Sequence, residues 1–410
     1  MSRILFFIGG DVRLPAGSAR QMLSLVDGVR RRGHEISIVS HAWEASDTHG
    51  SAVSTLEGEK AAGMIMTVPS GLDWVEPDRS TRDHLQRLFQ LYQIRMLRPL
   101  VRRAYIRAMK PLYRQKIAVH KPDWVIIFGT SLIYYNEAFL SECVSANVKC
   151  GSVPLCHLTT GDNTGARFRA LYRKLDAVLP TTKVEADWLV EKARVPPQNT
   201  HVLGAGPDYA LLEPGSRSTE LPEGARNIPS DSPVILFLAR KVTFKGYRPV
   251  LSAMRTVWAT FPEAHFVFAG PPTDEWRIDK RAFEHDTRFH DVDSIDQARV
   301  PLLERSAVMC VPSVSESFGL IYTEAWLFGK PVIAADTPVS RELIEHTRGG
   351  VMTSQSVEDV AQAILQMLAH PERAREMGEA GREAVRRQYN WDAIAGRFET
   401  ALGLAPGGRA

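Results

Sequence analysis

The sequence predicts an α/β protein built from two doubly wound parallel sheets, one in each half of the chain. At 410 residues the chain is too long for one hydrophobic core and suits two of ordinary size. In both halves, short runs of consecutive apolar residues alternate with stretches of helical period. That is the pattern of strands covered on both faces by crossover helices. Between the halves lies the polar passage EPGSRSTELPEGARNIPSDSP, whose Pro, Gly and Ser content marks a linker.

Taken in order, ILFFI (4–8) reads as a buried strand, followed by the loop GGDVRLPAGSAR and a helix over about 20–32. Met22, Leu25, Val26 and Val29 share one face of that helix, and Gly33 ends it. EISIVS is the next strand, which completes a βαβ opening. Further strands are expected at 64–68, WVIIF (124–128), 150–155 and 177–180, with HVLGAG (201–206) the last of this half. In the second half VILFLA, HFVFAG, AVMCVP and PVIAAD read as strands, each followed by helix-forming sequence. A final amphipathic helix is expected in YNWDAIAGRFETALGL, and the closing PGGRA is expected to be disordered. The predicted domains are 1–206 and 207–390, with the last helix (about 391–405) returning to the first.

Composition narrows the function class. With 44% hydrophobic residues, 24% charged and a net charge of +3, this is a globular chain with no general attraction to nucleic acid. Cys143, Cys150, Cys156 and Cys310 form no CxxC pair, so reduced cytoplasmic thiols are expected rather than a metal or redox centre. The N-terminal apolar run is too short for a signal peptide, and none approaches a membrane span. Charge is uneven, however. Between Arg82 and Lys116 the Lys and Arg residues are 82, 87, 95, 98, 102, 103, 107, 110, 114 and 116, against Asp83 alone. That segment keeps a helical period, with Pro99 and Pro111 expected to interrupt it. Two readings stand: a solvated cationic face, or a surface for anionic membrane or for a phosphorylated or acidic acceptor. Its aromatics are too sparse for a nucleic-acid platform.

The stretch SESFGLIYTEAW (315–326) carries the most chemistry. Glu316 is expected in the turn after a strand, and a helix is expected from about Phe318 to Phe328. The first amides of such a helix, on Phe318, Gly319 and Leu320, form an anion site, and small Gly319 allows close approach. Glu324, further along the helix, suits the vicinal hydroxyls of a sugar. The plainer reading of either glutamate is a cap or an ion pair. In FLARKVTFKG (237–246), Arg240 follows a strand and Lys245 enters the next helix. Two cations there would neutralise a diphosphate without metal.

With these residues in order, the chain resembles the family 4 glycosyltransferases. The resemblance runs through FLARKVTFKG, VPSVSESFGLIYTEAWLFGKPVIAADTPVSREL, GGVMTSQSVEDVAQAI and REAVRRQYNWDAIAGRFETAL. It is looser in LPAGSARQMLSLVDGVRRRGHEISIVS and DAVLPTTKVEADWL. It implies the GT-B fold: two facing Rossmann-like domains with a cleft between them, and a C-terminal helix crossing back. It also implies a retaining, metal-independent transfer from a nucleotide diphosphate-sugar, with no cofactor. By this resemblance Arg240 and Lys245 hold the diphosphate and Glu316 the transferred sugar. The amides from Phe318 through Gly319 and Leu320 to Ile321 meet sugar and phosphate, and Glu324 binds the ribose. Gly17, in PAGSAR, falls beside the diphosphate and acceptor, although the loop carries one glycine where many relatives have two. His157, in VPLCHLTTGDN, matches a histidine that reaches the reacting sugar.

UDP is the first expectation for the donor and GDP the second. The base pocket is expected from the loops after HFVFAG and near RFHDVDS. The acceptor is expected to be a sugar, lipid-linked or small-molecule partner, shaped by the region between Ser40 and Lys121. The expected location is cytoplasmic, with peripheral attachment to the inner membrane face as the membrane reading requires. A sugar phosphorylase on the same fold and a nucleotide-sugar-binding protein without turnover are the alternatives.

Overall fold

The computed structural model describes residues 1–9, 12, 17–41, 70–129, 133–208, 220–293 and 299–405. The chain divides into two compact units, Met1–Gly204 with Ile394–Ala410, and Ala205–Ala393.

In the first unit, six strands form one parallel sheet. They are β1 (Arg3–Ile8), β2 (Glu35–His41), β3 (Leu72–Val75), β4 (Trp124–Phe128), β5 (Lys149–Val153) and β6 (Ala177–Val178). Their spatial order is β3-β2-β1-β4-β5-β6, with Ile4 beside both Ile36 and Trp124. The winding therefore reverses between β1 and β4. Strands such as β4 are buried throughout because helices cover both faces, which is why they read as unbroken apolar runs. The helices used below are α1 (Gly17–Arg31), α2 (Arg79–Gln90), α3 (Arg98–His120), α4 (Ile133–Ser145) and α5 (Lys183–Glu191).

Three expectations for this unit change. The run at 64–68 lies outside the described residues, and the strand next to β2 is instead LDWV at 72–75, too short and polar to stand out. HVLGAG is not a strand. It follows β6 through His201 N–H to Val178 O (3.0 Å) and Leu203 N–H to Pro180 O (2.8 Å) without forming a ladder. Pro111 does not interrupt its helix but lies inside α3, while Pro99 occupies the first turn. A proline there costs about 3 kcal/mol. The stripe Val101, Tyr105, Met109, Tyr113 and Ile117 is buried, and at roughly 2 kcal/mol per large apolar side chain it outweighs that cost.

The second unit repeats the winding. Its strands are β7 (Val234–Leu238), β8 (His265–Ala269), β9 (Phe289–Val292), β10 (Val308–Val311), β11 (Val332–Ala335) and β12 (Gly350–Thr353). Their order, β12-β11-β10-β7-β8-β9, is again parallel and reverses between β7 and β10. β9 and β12 were not expected, because FHDV carries two polar residues and GVMT opens on glycine. Helices α6 (Tyr247–Thr260), α7 (Arg299–Arg305), α8 (Leu320–Leu327) and α9 (Trp391–Leu402) matter below. Most of α9 belongs to the first unit. There Phe398 stacks on Phe6 at 5.8 Å, and buried Glu399 accepts from Arg32 Nε (2.8 Å) and contacts His34 Nε2 (2.9 Å). Part of the polar linker and the whole of the PGGRA tail lie outside the described residues.

Candidate active site

In sheets wound this way, ligands bind beyond the carboxyl ends of the strands where the order reverses. In the second unit those strands are β7 and β10, and the loops leaving them carry Arg240, Lys245 and Glu316. The loop after β7 first sends Lys241 inward. Its buried ammonium pairs with Asp291, lies 3.3 Å from Asp293, donates to Val292 O at 3.1 Å and sits 5.1 Å over the Trp276 ring. Arg240 stays exposed, with no ion pair among the described residues. A single turn over Thr243–Lys245 then leads through Gly246 into α6.

Gly246 has φ +82°, and a Cβ there would lie 2.5 Å from Pro312 O. Only glycine allows the two loops to close on each other this tightly. The loops are also bonded directly, Val314 N–H to Phe244 O at 3.0 Å. The result is an ion pair between Lys245 Nζ and Glu316 Oε1 at 2.6 Å, with the side chains 20% and 9% exposed. The resemblance assigns these two residues to separate ligand groups; in the structure they touch.

Beyond Glu316 the chain turns at Gly319 (φ +95°), where a Cβ would strike the Tyr322 ring at 2.6 Å. Tyr322 is anchored in turn by its hydroxyl on Val311 O at 3.1 Å. Helix α8 starts at Leu320, two residues later than expected, and stops at Leu327. Phe318 is buried and packs edge-on against Tyr389 at 5.6 Å, so only its backbone can serve a ligand. Leu320 and Ile321 are partly buried. Glu324 is 5% exposed, and its Oε1 accepts from Arg299 Nη1 at 2.9 Å. Arg299 was missed in the sequence. The available signal was the lone carboxylate in the otherwise uncharged LIYTEAWL, which once buried needs a partner. Of the expected base pocket, Phe289–Val292 is strand β9, and residues 294–298 lie outside the described residues.

Gly17 and His157 belong to the first unit. Gly17 is exposed at the start of α1, the helix that follows β1. His157 follows β5 in a tight loop, where its N–H donates to Asp162 O (3.0 Å) and its carbonyl accepts from Gly161 N–H (2.7 Å). That loop is braced at Leu155 (φ +51°), whose carbonyl accepts from Asn163 Nδ2 at 3.2 Å. Buried Glu185 at the start of α5 accepts from Cys156 N–H at 2.6 Å and Thr181 N–H at 2.7 Å. Burial pushes the Glu185 carboxyl up to about 7, with those hydrogen bonds opposing the shift.

Residues 220–384 match the family model described as glycosyl transferases group 1. The D-inositol 3-phosphate glycosyltransferase of Segniliparus rotundus is 29% identical over 235 residues, covering 55% of this chain and 51% of that protein. The chain thus spans about half the length of the curated relatives it matches. Among solved structures, sucrose-phosphate synthase from Thermosynechococcus elongatus aligns over 98% of both chains with a TM-score of 0.72 and 17% identity. Anabaena HepE in complex with UDP and glucose aligns over 98% of this chain and 100% of that one, with a TM-score of 0.70 and 15% identity. These likenesses establish the GT-B fold. The match over residues 220–384 and these relatives agree with the family 4 resemblance read in the sequence.

Proposed function

We propose that the protein is a retaining, metal-independent glycosyltransferase that moves a sugar from a nucleotide diphosphate-sugar to an acceptor. The observation that carries this reading is the pairing of Lys245 with Glu316 on two interlocked loops at the β7/β10 reversal, with exposed Arg240 on the same loop as Lys245. Such a site offers two cations to a diphosphate and one carboxylate to a sugar. UDP is the first candidate nucleotide and GDP the second. HepE, whose structure holds UDP and glucose, supports that order.

In the proposed reaction the bond between the sugar's anomeric carbon and the diphosphate oxygen breaks, and its electron pair stays on that oxygen. The acceptor oxygen bonds to the carbon on the same face, and its proton passes to the departing diphosphate. Arg240, Lys245 and the amides before α8 meet the charge as it develops. Glu316 orients the sugar hydroxyls, Glu324 receives those of the ribose, and His157 is assigned to the reacting sugar. No dedicated base is needed, because the leaving group accepts the proton.

The acceptor is proposed to be a sugar, lipid-linked or small-molecule compound. A lipid-linked acceptor is favoured by the tip of the α2–α3 hairpin. Leu91, Ile94, Met96 and Leu100 are 41%, 50%, 87% and 60% exposed. Around them Arg87, Arg95 and Arg103 are exposed, with no ion pair among the described residues. Aliphatic side chains interspersed with guanidinium groups suit an anionic lipid surface.

A thermal-shift panel of UDP, GDP, ADP and TDP with their common sugars, run in EDTA, tests the reading. A ligand at about 100 times its Kd adds roughly 2.7 kcal/mol, which moves a melting curve by a few degrees. One nucleotide class is expected to shift the melt, more so with one sugar attached. No shift with any of them would overturn the proposal.

A further inference from the structure

Glu324 and Arg299 form a buried charge cluster with a third member. Their side chains are 6% and 5% exposed, and Arg299 Nη1 also lies 3.4 Å from Asp208 Oδ2. One guanidinium thus serves two carboxylates. It is held firmly, because the residues after it on α7, Val300 to Leu303, are buried. Glu324 in turn sits among buried Tyr322, Thr323, Ala325 and Trp326. A buried ion pair of this kind adds little net stability, since desolvation offsets most of the attraction. What it does fix is position: Nη1 of a guanidinium locked by its own packing holds the Glu324 carboxylate by Oε1 through a charge-assisted hydrogen bond.

We infer that Arg299 is the positioning residue of the nucleoside subsite. It fixes, through Oε1, the carboxylate that receives the donor's ribose hydroxyls, with Asp208 as the guanidinium's second acceptor. This rests on the ribose role proposed above for Glu324. Arg299 acts on the nucleoside end of the donor and not on the diphosphate, which is assigned to Arg240 and Lys245. Its loss is therefore selective between ligands.

The test is titration calorimetry on the full chain with UDP, 2′-deoxy-UDP, 3′-deoxy-UDP and inorganic pyrophosphate. The wild type is expected to bind UDP roughly tenfold tighter than the weaker deoxy analogue, the usual worth of a hydrogen bond to a charged group. Arg299→Gln is expected to lose about that factor for UDP, to leave pyrophosphate unchanged and to bring the ribo-to-deoxy ratio close to one. Discrimination that survives in Arg299→Gln overturns the inference alone. Equal loss for all four ligands also overturns it, because that is the mark of a merely structural residue. A wild type that does not discriminate overturns the ribose role of Glu324 and the inference with it. Where a melting curve shows Arg299→Gln unfolded, Arg299→Lys carries the test. A reduced ratio with pyrophosphate affinity intact supports the inference, and an unchanged ratio overturns it. The guanosine set replaces the uridine set where UDP does not bind. Failure of both overturns the nucleotide reading itself.

Discussion

The same connection is built in opposite ways in the two units. In each, the chain leaves an edge strand and crosses to the far side of the reversal point, from β3 to β4 in one and from β9 to β10 in the other. In the second unit the crossover is short (293–307) and turns one of its two arginines inward, where Arg299 meets Glu324. In the first it is far longer (76–123), holds α2 and α3, and turns arginines outward. Some of its basic residues find partners on α4, Arg102 with Glu137 at 3.4 Å and Arg114 with Glu142 at 2.8 Å, while Lys116 pairs with Asp73 on β3 at 2.6 Å. Topology fixes where the connection passes. Its length decides whether charge serves a site inside the unit or a surface outside it.

The sharpest way to break this division is at the centre of the inward-facing chemistry. Glu316→Ala is expected to lower turnover by about 10³-fold, at the upper end for one preorganised electrostatic group, with a smaller loss of donor affinity. Steady-state rates and donor binding measured together check it; a wild-type rate would remove Glu316 from the mechanism. Slow donor hydrolysis without acceptor should appear in the wild type, and its absence would favour a binding protein.

A second contrast lies in the buried histidines. In the first unit burial holds His41 down to about 3, and its Nε2 lies 2.8 Å from the Tyr113 hydroxyl. In the second, His265 and His290 sit 2.9 Å apart and are also lowered, chiefly by burial. The unfolded chain takes up these protons first as pH falls. Stability is therefore full above about 6.5 and declines below it toward the folded value. His41 alone should remove about 2 kcal/mol between pH 7 and pH 5. Urea unfolding at the two pH values measures this, and His41→Gln should flatten the dependence. An unchanged slope in that variant would assign the loss elsewhere.

Arg240→Ala should weaken binding of the bare nucleoside diphosphate about tenfold, read by calorimetry in EDTA. Unchanged affinity would show that the exposed arginine lies off the phosphate path. The last effect belongs to the outward face. Each charge near an anionic membrane contributes about 1 kcal/mol. Replacing Arg103 and Arg107 by glutamate, with Met96→Asp, should release the protein from phosphatidylserine vesicles in a flotation assay. Equal flotation of variant and wild type would leave the patch as a solvated face.

Legibility in the sequence followed burial. Strands covered on both sides, such as VILFL and WVIIF, announce themselves because every residue must be apolar. Edge strands such as LDWV and GVMT need not be, and they were missed. That Lys245 and Glu316 lie in loops beyond strand ends, with Glu324 in the helix behind, was readable in the sequence. Their contacts were not. The 2.6 Å pairing of Lys245 with Glu316 depends on two loops 71 residues apart in the chain, and Arg299 on a crossover whose inward face no local period reveals. Pro111 misled because its local cost is visible in sequence, whereas the buried stripe that outweighs it depends on tertiary packing.

Placing most of α9 in the first unit also sets an order of manufacture. On a ribosome the first unit emerges early, but its buried Arg32–Glu399 and His34–Glu399 contacts must wait until the second unit has been made. At 5–20 residues per second that interval is roughly ten to forty seconds. The second unit is the one that can finish folding on its own schedule. The nascent first unit spends that time with Phe6 lacking its stacking partner, which makes it the half most in need of a chaperone.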